Sequence, residues 1–182
     1  MNETGRQVVH LIFGLGIAGF VFLFDSTITI SVLMIALFAG FILSDALQRG
    51  YFIPGISQII ERLERRDAVP GKGALFFALG ALFCLVFFPT AVVFPALVVL
   101  ALLDSVTTIF GVRYGRHRIY NKKSVEGTLF GIAVTFSVLL FLVPPGAALA
   151  VAVVSGLVEL TTPIDDNLVV PVAACVVLSM FL

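Results

Sequence analysis

The stretch DSVTTIFGVRYGRHRIYNKKSVEGTLFG, from Asp104 to Gly131, interrupts a chain that is otherwise almost continuously apolar. It begins with an acid inside an apolar run, continues with a cluster of basic residues, and ends where a new apolar run starts. Of the 182 residues, 60% are hydrophobic and 12% are charged, whereas a soluble domain is about 25% charged. This composition predicts an integral membrane protein.

The apolar runs on both sides of this stretch are separated by polar residues, prolines and glycines. A membrane-spanning helix needs about 20 residues, and several of the runs are shorter than that. We interpret all seven as transmembrane helices of a single domain over residues 1–182, an all-α bundle in which short turns join antiparallel neighbours. The seven predicted spans are 8–24, 28–44, 73–88, 91–111, 127–143, 147–162 and 168–182.

The basic residues lie on one side of this predicted bundle. With seven spans, the N-terminus shares a side with segments 45–72, 112–126 and 163–167, and all 11 Lys and Arg residues fall on that side. Because Lys and Arg accumulate on the cytoplasmic side of membranes, the distribution predicts a cytoplasmic N-terminus and a C-terminus on the opposite side.

The segment between the second and third spans has the pattern of an amphipathic helix. Ile56, Ile59, Ile60 and Leu63 recur at helical spacing, and charged residues fill most positions between and after them. The pattern predicts a cytoplasmic helix that lies in the membrane interface. It is equally compatible with a structural strut and with a lid over a substrate site.

Two other patterns have structural interpretations. GLGIAG at residues 14–19 matches a dinucleotide-binding fingerprint, but that fingerprint requires a preceding strand. Here it lies inside a predicted span, where small residues favour close helix packing. Cys84 and Cys175 lie in separate apolar runs, and we interpret them as buried thiols and not as a disulfide.

Asp104 is the first candidate functional residue. A carboxylate near the centre of a membrane helix costs about 2.5–3.5 kcal/mol on insertion scales, so it is expected to face a cavity or a partner. Thr107, Thr108 and Gly111 share its helical face. These residues predict a polar stripe directed into the bundle, although a carboxylate neutralised by a neighbour would also fit.

The basic loop and the helix start after it form a candidate phosphate site. Basic residues at the end of a span also serve as topology signals or lipid head-group contacts. Here, however, Ser124 opens a new helix, whose free backbone N–H groups suit phosphate, and Gly127 would allow a phosphate close to the backbone. The basic residues are Arg113, Arg116, Arg118, Lys122 and Lys123.

A second acid, Glu159, lies in a later apolar run and is followed by Asp165, Asp166 and Asn167 at the predicted cytoplasmic boundary. Asp and Asn are common helix caps, which is one explanation for this cluster. Two acids and an amide beside Glu159 also match the oxygen ligands of Mg²⁺. The cluster is therefore a candidate metal site.

Three of these stretches, DSVTTIFGVRYG, NKKSVEGT and ELTTPIDDNLVVP, together resemble the CTP-dependent lipid kinases, a family that includes dolichol kinase, phytol kinase and CTP-dependent diacylglycerol kinase. The segment from Arg6 to His10 resembles the R-K-x-x-H of that family, with Gln7 where Lys is usual. The likeness covers most of the chain in the same order. It marks Asp104, Gly111, Arg113, Gly115, Lys123, Ser124, Glu126, Gly127, Thr128, Glu159, Asp166, Asn167 and Pro171.

The resemblance implies transfer of the γ-phosphoryl group of CTP to the hydroxyl of a membrane lipid alcohol, at a site that faces the cytoplasm. The lipid would be a polyprenol or dolichol, a phytol-like isoprenoid or a diacylglycerol, and the products would be a lipid phosphate and CDP. Mg²⁺ or a similar divalent cation is the expected cofactor, no nucleic-acid partner is expected, and the oligomeric state is open. One alternative is a cytidylyltransferase that acts on a lipid phosphate, and another is a small membrane transporter.

The expected roles divide among these residues. Asp104, Lys123 and Glu159 are the catalytic candidates, with Asp104 orienting or deprotonating the lipid hydroxyl, although exchanged roles for Asp104 and Glu159 fit equally well. Arg6 and His10 are further candidates. The nucleotide-binding candidates are Arg113, Gly115, Arg116, Lys122, Lys123, Ser124, Glu126, Gly127 and Thr128. The metal-ligand candidates are Glu126, Glu159, Asp165, Asp166 and Asn167.

Overall fold

A computed structural model of the chain describes residues 3–58, 69–119 and 123–182. The fold of these residues is all-α, as the sequence predicts, and the only strand-like feature among them is an isolated backbone bridge between Arg118 and Ser124. Residues 56–58 are helical as well. The longer helices are α1 (Glu3–Leu23), α2 (Ser26–Gln48), α3 (Lys72–Phe87), α4 (Thr90–Tyr114), α5 (Val125–Leu139), α6 (Pro145–Thr161) and α7 (Asp166–Leu178).

Each of the seven predicted apolar runs coincides with one of these helices. Within the described residues, three helices are long and apolar enough to cross a membrane, namely α1, α2 and α4, with 21, 23 and 25 residues. The other four are apolar helices of 10–17 residues. The positions of the helices are therefore confirmed, whereas their lengths support membrane crossing for three of them.

The helix α4 is the centre of the fold. Of an 18-residue apolar stretch of α4, 67% is buried inside the protein, against 22% for the corresponding stretch of α1 and 17% for that of α2. It packs against α1, α5 and α7, whereas α2 packs chiefly against α3 and leaves most of its apolar side chains exposed. Cys84 and Cys175 are free and buried in this core, as predicted.

The crossing of α4 and α5 is close because small residues line it. A Cβ atom built on Gly127 would lie 2.5 Å from the Thr107 carbonyl oxygen and 2.9 Å from the Gly111 Cα. One turn later, Gly131 faces Thr107 and Leu103 in the same way. Small residues at such positions let two helix backbones approach, and this approach brings the start of α5 to the polar stripe of α4.

The GLGIAG segment of α1 contributes to helix packing at one of its glycines. A Cβ atom on Gly14 would lie 2.8 Å from the Ala101 Cβ and 2.8 Å from the Phe77 Cε2. A Cβ atom on Gly16 or Gly19 would meet nothing within 4 Å. The packing interpretation is therefore confirmed at Gly14, where α1 meets α3 and α4.

Two predictions fall outside the described residues. Ile56 is helical, but Ile59, Ile60 and Leu63 of the predicted amphipathic helix lie in the range 59–68, which the structure does not describe. Lys122 of the basic loop also lies outside the described residues. Both stay predictions.

The two glycines of α1 provide a matched test of this packing. We expect Gly14→Ala to lower the free energy of unfolding by about 1–3 kcal/mol, because the added methyl group overpacks a filled interface. Gly16→Ala should be neutral or stabilising by up to about 1 kcal/mol, because alanine is the better helix former and the site is open. Thermal unfolding of the purified variants in detergent measures both, and equal stability of the two would contradict the packing described for α1.

Candidate functional site

A polar cavity of about 860 Å³ lies between the first turns of α1 and α3, the second half of α4, the start of α5 and the α6–α7 turn. Among the described residues, four of the seven Lys and Arg residues and five of the eight Asp and Glu residues line it. Charge that is scarce in the chain is thus concentrated in one place. The charged lining residues are Arg6, Lys72, Arg118, Lys123, Glu3, Asp104, Glu159, Asp165 and Asp166.

Lys123 lies at the ionic centre of the cavity. Its Nζ is 2.7 Å from Asp166 Oδ1 and 3.8 Å from Glu159 Oε1, and it also donates a hydrogen bond to the Glu159 carbonyl oxygen. The Lys123 side chain is 15% exposed and that of Glu159 is 4% exposed. Because a carboxylate removed from water needs a counter-charge, Lys123 compensates both acids and joins the start of α5 to the α6–α7 turn.

Two threonine hydroxyls face the Glu159 carboxylate. Thr107 Oγ1 donates to Oε1 and Thr128 Oγ1 donates to Oε2, each at an oxygen–oxygen distance of 3.4 Å. Both contacts are long, and each hydroxyl also lies near a carbonyl oxygen of its own chain segment, that of Asp104 or of Ser124. The buried acid of α6 therefore meets the facing sides of α4 and α5.

Asp104 faces both the cavity and a partner side chain. His10 Nε2 lies 3.2 Å from Asp104 Oδ2, which is an ion-pair distance, although its alignment falls short of a hydrogen bond. The neighbouring Ser105 hydroxyl donates to the Gln7 carbonyl oxygen over 3.3 Å. The His10 ring also meets the edge of Phe77, with 5.6 Å between ring centroids. These contacts hold the first turns of α1 beside the acid of α4.

The start of α7 combines a helix cap with an unpaired acceptor. Asp165 Oδ1 accepts hydrogen bonds from the Asn167 backbone N at 3.2 Å and from its Nδ2 at 3.0 Å. The other oxygen, Asp165 Oδ2, lies 3.2 Å from Lys72 Nζ. Asp165 is therefore the helix cap that the sequence allowed for in this cluster. The buried Oδ1 of Asn167, a residue of the cavity lining, has no hydrogen-bond partner among the residues that the structure describes.

Five of the predicted nucleotide-binding residues that the structure describes lie off the cavity lining. The exposed Arg113 guanidinium is 5.6 Å from the ring centroid of Tyr114, and the Arg116 side chain is exposed. Gly115 packs beside Ser124, and Gly127 packs against α4. The close approach at Gly127 is thus made by a helix backbone, and its expected approach to a phosphate stays a prediction.

Glu126 also lies off the cavity lining, where it holds the basic loop together. Its carboxylate accepts hydrogen bonds from the backbone N of Arg116 at 3.0 Å and of His117 at 3.1 Å, and it lies 2.6 Å from His117 Nδ1. The His117 ring, together with backbone N–H donors, lowers the pKa of Glu126 to about 2, so the carboxylate is ionised at neutral pH. Ser124 caps α5 by accepting from the Gly127 backbone N at 3.2 Å.

Oxygen atoms that could hold a divalent cation lie on the acidic side of the cavity. In the part of the chain that the structure describes, no three His, Cys, Asp or Glu side chains form a metal-binding group. Mg²⁺, however, is usually held by one or two carboxylates plus substrate phosphates and waters, not by an all-protein cage. Asp166, Glu159 and the unpaired Asn167 Oδ1 supply such oxygen atoms.

Lys72 is a lining residue that the sequence did not single out as functional. It follows Gly71, whose φ of 75° is in the left-handed region that favours glycine and ends the turn before α3. Pro70 and Gly71 thus form the turn that precedes this helix. The available signal was a lone lysine at the cytoplasmic start of a predicted span. Its contact with Asp165 joins residues 93 positions apart, which no local pattern reveals.

These features define a class of protein, an all-helical chain with helices suited to a membrane and a charged cavity beside its central helix. Over 176 residues the chain is 35% identical to Uncharacterized protein MJ1137 of Methanocaldococcus jannaschii, a match that covers 94% of this chain and 90% of that protein. The chain belongs to the same family as that protein. No family model and no solved structure matches the chain.

Substitution of Lys123 tests the ionic centre. We expect Lys123→Met to lower the free energy of unfolding by about 1–3 kcal/mol, because it leaves acids in the cavity without their counter-charge. The expected loss is below that of a fully buried pair because Lys123 and Asp166 are 15% and 18% exposed. Denaturant unfolding in detergent measures the change.

Two further variants complete this test. Adding Asp166→Asn to Lys123→Met should recover part of the lost stability, because it removes one of the uncompensated charges. Arg113→Met, at the exposed end of α4, is the matched control and should change little. A Lys123→Met protein as stable as the wild type would show that the cavity does not depend on this ion pair.

Proposed function

We propose that this protein is a CTP-dependent lipid kinase, which transfers the γ-phosphoryl group of CTP to the hydroxyl of a membrane lipid alcohol and releases CDP. The observation that carries the proposal is that four blocks of sequence with a likeness to that family line one cavity. The blocks lie within 6–10, 104–111, 123–128 and 159–167. Binding of one charged substrate would explain why separate segments bring cations, hydroxyls and acids to the same cavity.

We further propose that all seven helices lie in the membrane, with the cavity at the cytoplasmic face and the C-terminus on the other side. The lengths and apolarity of α1, α2 and α4 support this, as does the one-sided distribution of Lys and Arg. Helices of 13–17 residues measure about 20–25 Å, which is less than the roughly 30 Å of a hydrocarbon core. Local thinning of the bilayer would accommodate the four short helices.

The paired charges of the cavity support binding of a triphosphate with its metal. Lys123 is paired with Asp166, and Lys72 is paired with Asp165. When a magnesium nucleotide binds, the phosphates take the lysines as partners and the acids become free to take the cation. Each of the two lysines exchanges a carboxylate partner for a phosphate, so neither is left without an opposite charge in either state.

The cations of the lining, Lys72, Lys123, Arg6 and Arg118, would bind the phosphates, and oxygen atoms of Asp166, Asn167 and Glu159 would hold Mg²⁺. When bound, the cation neutralises charge on the phosphate oxygens and fixes their orientation. Phosphoryl transfer depends mainly on such positioning and charge stabilisation, so this chain needs no covalent intermediate.

Asp104 is the proposed base for the lipid hydroxyl. Its side chain is 19% exposed and, within the described part of the chain, has one partner, His10, whereas Glu159 is 4% exposed and faces Lys123 and two threonines. Asp104 is therefore the more accessible acceptor for a proton. As the hydroxyl oxygen bonds to the γ-phosphorus, its proton passes to Asp104, the bond to the β-phosphate oxygen breaks, and CDP leaves.

Transfer of label from CTP to lipid tests the proposal. We expect purified protein with Mg²⁺ and γ-labelled CTP to place label in lipid phosphate when a panel of polyprenols, phytol-like alcohols and diacylglycerols is offered. Label in pyrophosphate instead would indicate a cytidylyltransferase. No nucleotide turnover with CTP or ATP on any lipid would contradict the kinase and favour a transporter.

Two aspartate variants control this assay. We expect Asp104→Asn to lower kcat by about 100-fold or more, because an amide does not accept the proton. Asp25→Asn, at an exposed position between α1 and α2, should retain wild-type turnover. If Asp104→Asn is folded and fully active while Glu159→Gln is inactive, the base is Glu159 and not Asp104.

A further inference from the structure

An apolar groove of about 400 Å³ adjoins the polar cavity. It lies between α2 and α3, and its walls include Phe41 of α2 with Leu75, Phe76 and Leu79 of α3. Lys72 and Val69 line both this groove and the polar cavity. The two spaces are therefore neighbours that share a wall.

The polar residues of the groove lining have partners, and the acid among them, Asp45, lies 2.8 Å from Arg49 Nε. The buried Ser44 hydroxyl donates to the Pro70 carbonyl oxygen over 2.7 Å, and Gln48 Nε2 donates to Ser44 Oγ over 3.3 Å. These bonds tie α2 to the turn before α3 and leave carbon atoms as the main surface of the groove. Such walls favour a hydrocarbon occupant and offer little to a nucleotide or another polar molecule.

Lys72 connects the two spaces. Its ammonium lies 3.2 Å from Asp165 Oδ2 in the polar cavity and 5.2 Å from the ring centroid of Phe76 at the groove. A lysine in this position places its alkyl stem along apolar surface and its charge in the polar space. The side chain is 48% exposed, so it can move aside without breaking core packing.

We propose that this groove binds the hydrocarbon chain of the lipid alcohol, with the hydroxyl end directed past Lys72 into the polar cavity. A long apolar chain with one small polar end matches a carbon-walled groove that adjoins a charged cavity. The identity of the reacting hydroxyl rests on the proposed kinase function, but binding of the chain does not require turnover.

Photo-crosslinking tests the groove independently of catalysis. The full-length protein in phospholipid nanodiscs is labelled with a long-chain primary alcohol that carries a diazirine in its chain, and the labelled peptides are mapped by mass spectrometry. We expect label to concentrate on the groove faces of α2 and α3, around Phe41, Leu75 and Leu79, and to be displaced by excess unlabelled long-chain alcohol.

A matched pair of variants sharpens this test. Leu79→Trp fills the groove and should reduce its labelling several-fold, whereas Ile35→Trp, on an exposed part of α2 outside the groove lining, should leave the labelling unchanged. Size-exclusion chromatography establishes that both variants are folded, and Phe41→Trp replaces Leu79→Trp if the latter is not. Label spread evenly over the exposed faces of α1 and α2, or label unaffected by filling the groove, would overturn the proposal.

The outcome is separable from that of the kinase assay. Label in the groove without phosphorylation of any lipid would retain the groove and contradict the kinase. Suppose instead that a long-chain alcohol is phosphorylated, that Leu79→Trp and Phe41→Trp leave its KM unchanged, and that no label is found in the groove. This result would support the kinase activity and contradict lipid binding in the groove.

Discussion

The site depends on the contact of the Lys123 ammonium group with oxygen atoms at the end of α6 and the start of α7. Asp166 and Glu159 lie largely out of water, and without a cation beside them their charges would repel each other. Lys123 precedes α5, so the same contact sets where that helix starts relative to α6 and α7. The Lys123 ammonium therefore serves both stability and the proposed chemistry. In the empty cavity it lies beside the two acids, and in the proposed complex it would bind phosphate while the acids hold a cation.

The central helix α4 makes this arrangement possible because it carries two kinds of surface. Most of its 18-residue apolar stretch is buried, yet the face from Asp104 to Gly111 carries polar or small side chains. The backbone at Thr107 contacts Gly127, and the hydroxyl of the same residue reaches Glu159. Because a side chain at Gly127 would separate the two helices, the glycines that close the bundle also bring the threonine hydroxyls to the acid.

The helices could be predicted because their signals are local. Apolar runs bounded by prolines, glycines and charges coincide with every long helix, and an acid in an apolar run pointed to Asp104 at the cavity. The absence of a Cβ at Gly127 suited both helix packing and phosphate approach, so the sequence did not distinguish them. The partnership of Glu126 with His117 crosses a loop, and that of Lys72 with Asp165 crosses half of the chain. Such pairs follow from tertiary packing, which no spacing rule contains.

Whether seven helices cross a membrane is a separate matter of length. Apolar periodicity identified α3, α5, α6 and α7 as helices, but each has fewer residues than the roughly 20 of a typical span. Composition alone does not say whether a short apolar helix lies within a thinned bilayer or is buried among its neighbours. In the proposed arrangement, the apolar faces that α1 and α2 expose would contact lipid. Together with the charged cavity beside α4, these faces favour an arrangement in which the bundle lies in a membrane.

Thermal unfolding with and without CTP and Mg²⁺ tests the central role of Lys123 most directly. A ligand that binds only the folded state raises stability by RT ln(1 + [L]/Kd), so the Tm of the wild type should rise with nucleotide concentration. The rise should be absent in Lys123→Met and retained in Arg49→Met, whose exposed side chain lies outside the cavity lining. A wild type with no shift at millimolar CTP, or a Lys123→Met protein with the same shift as the wild type, would contradict the account.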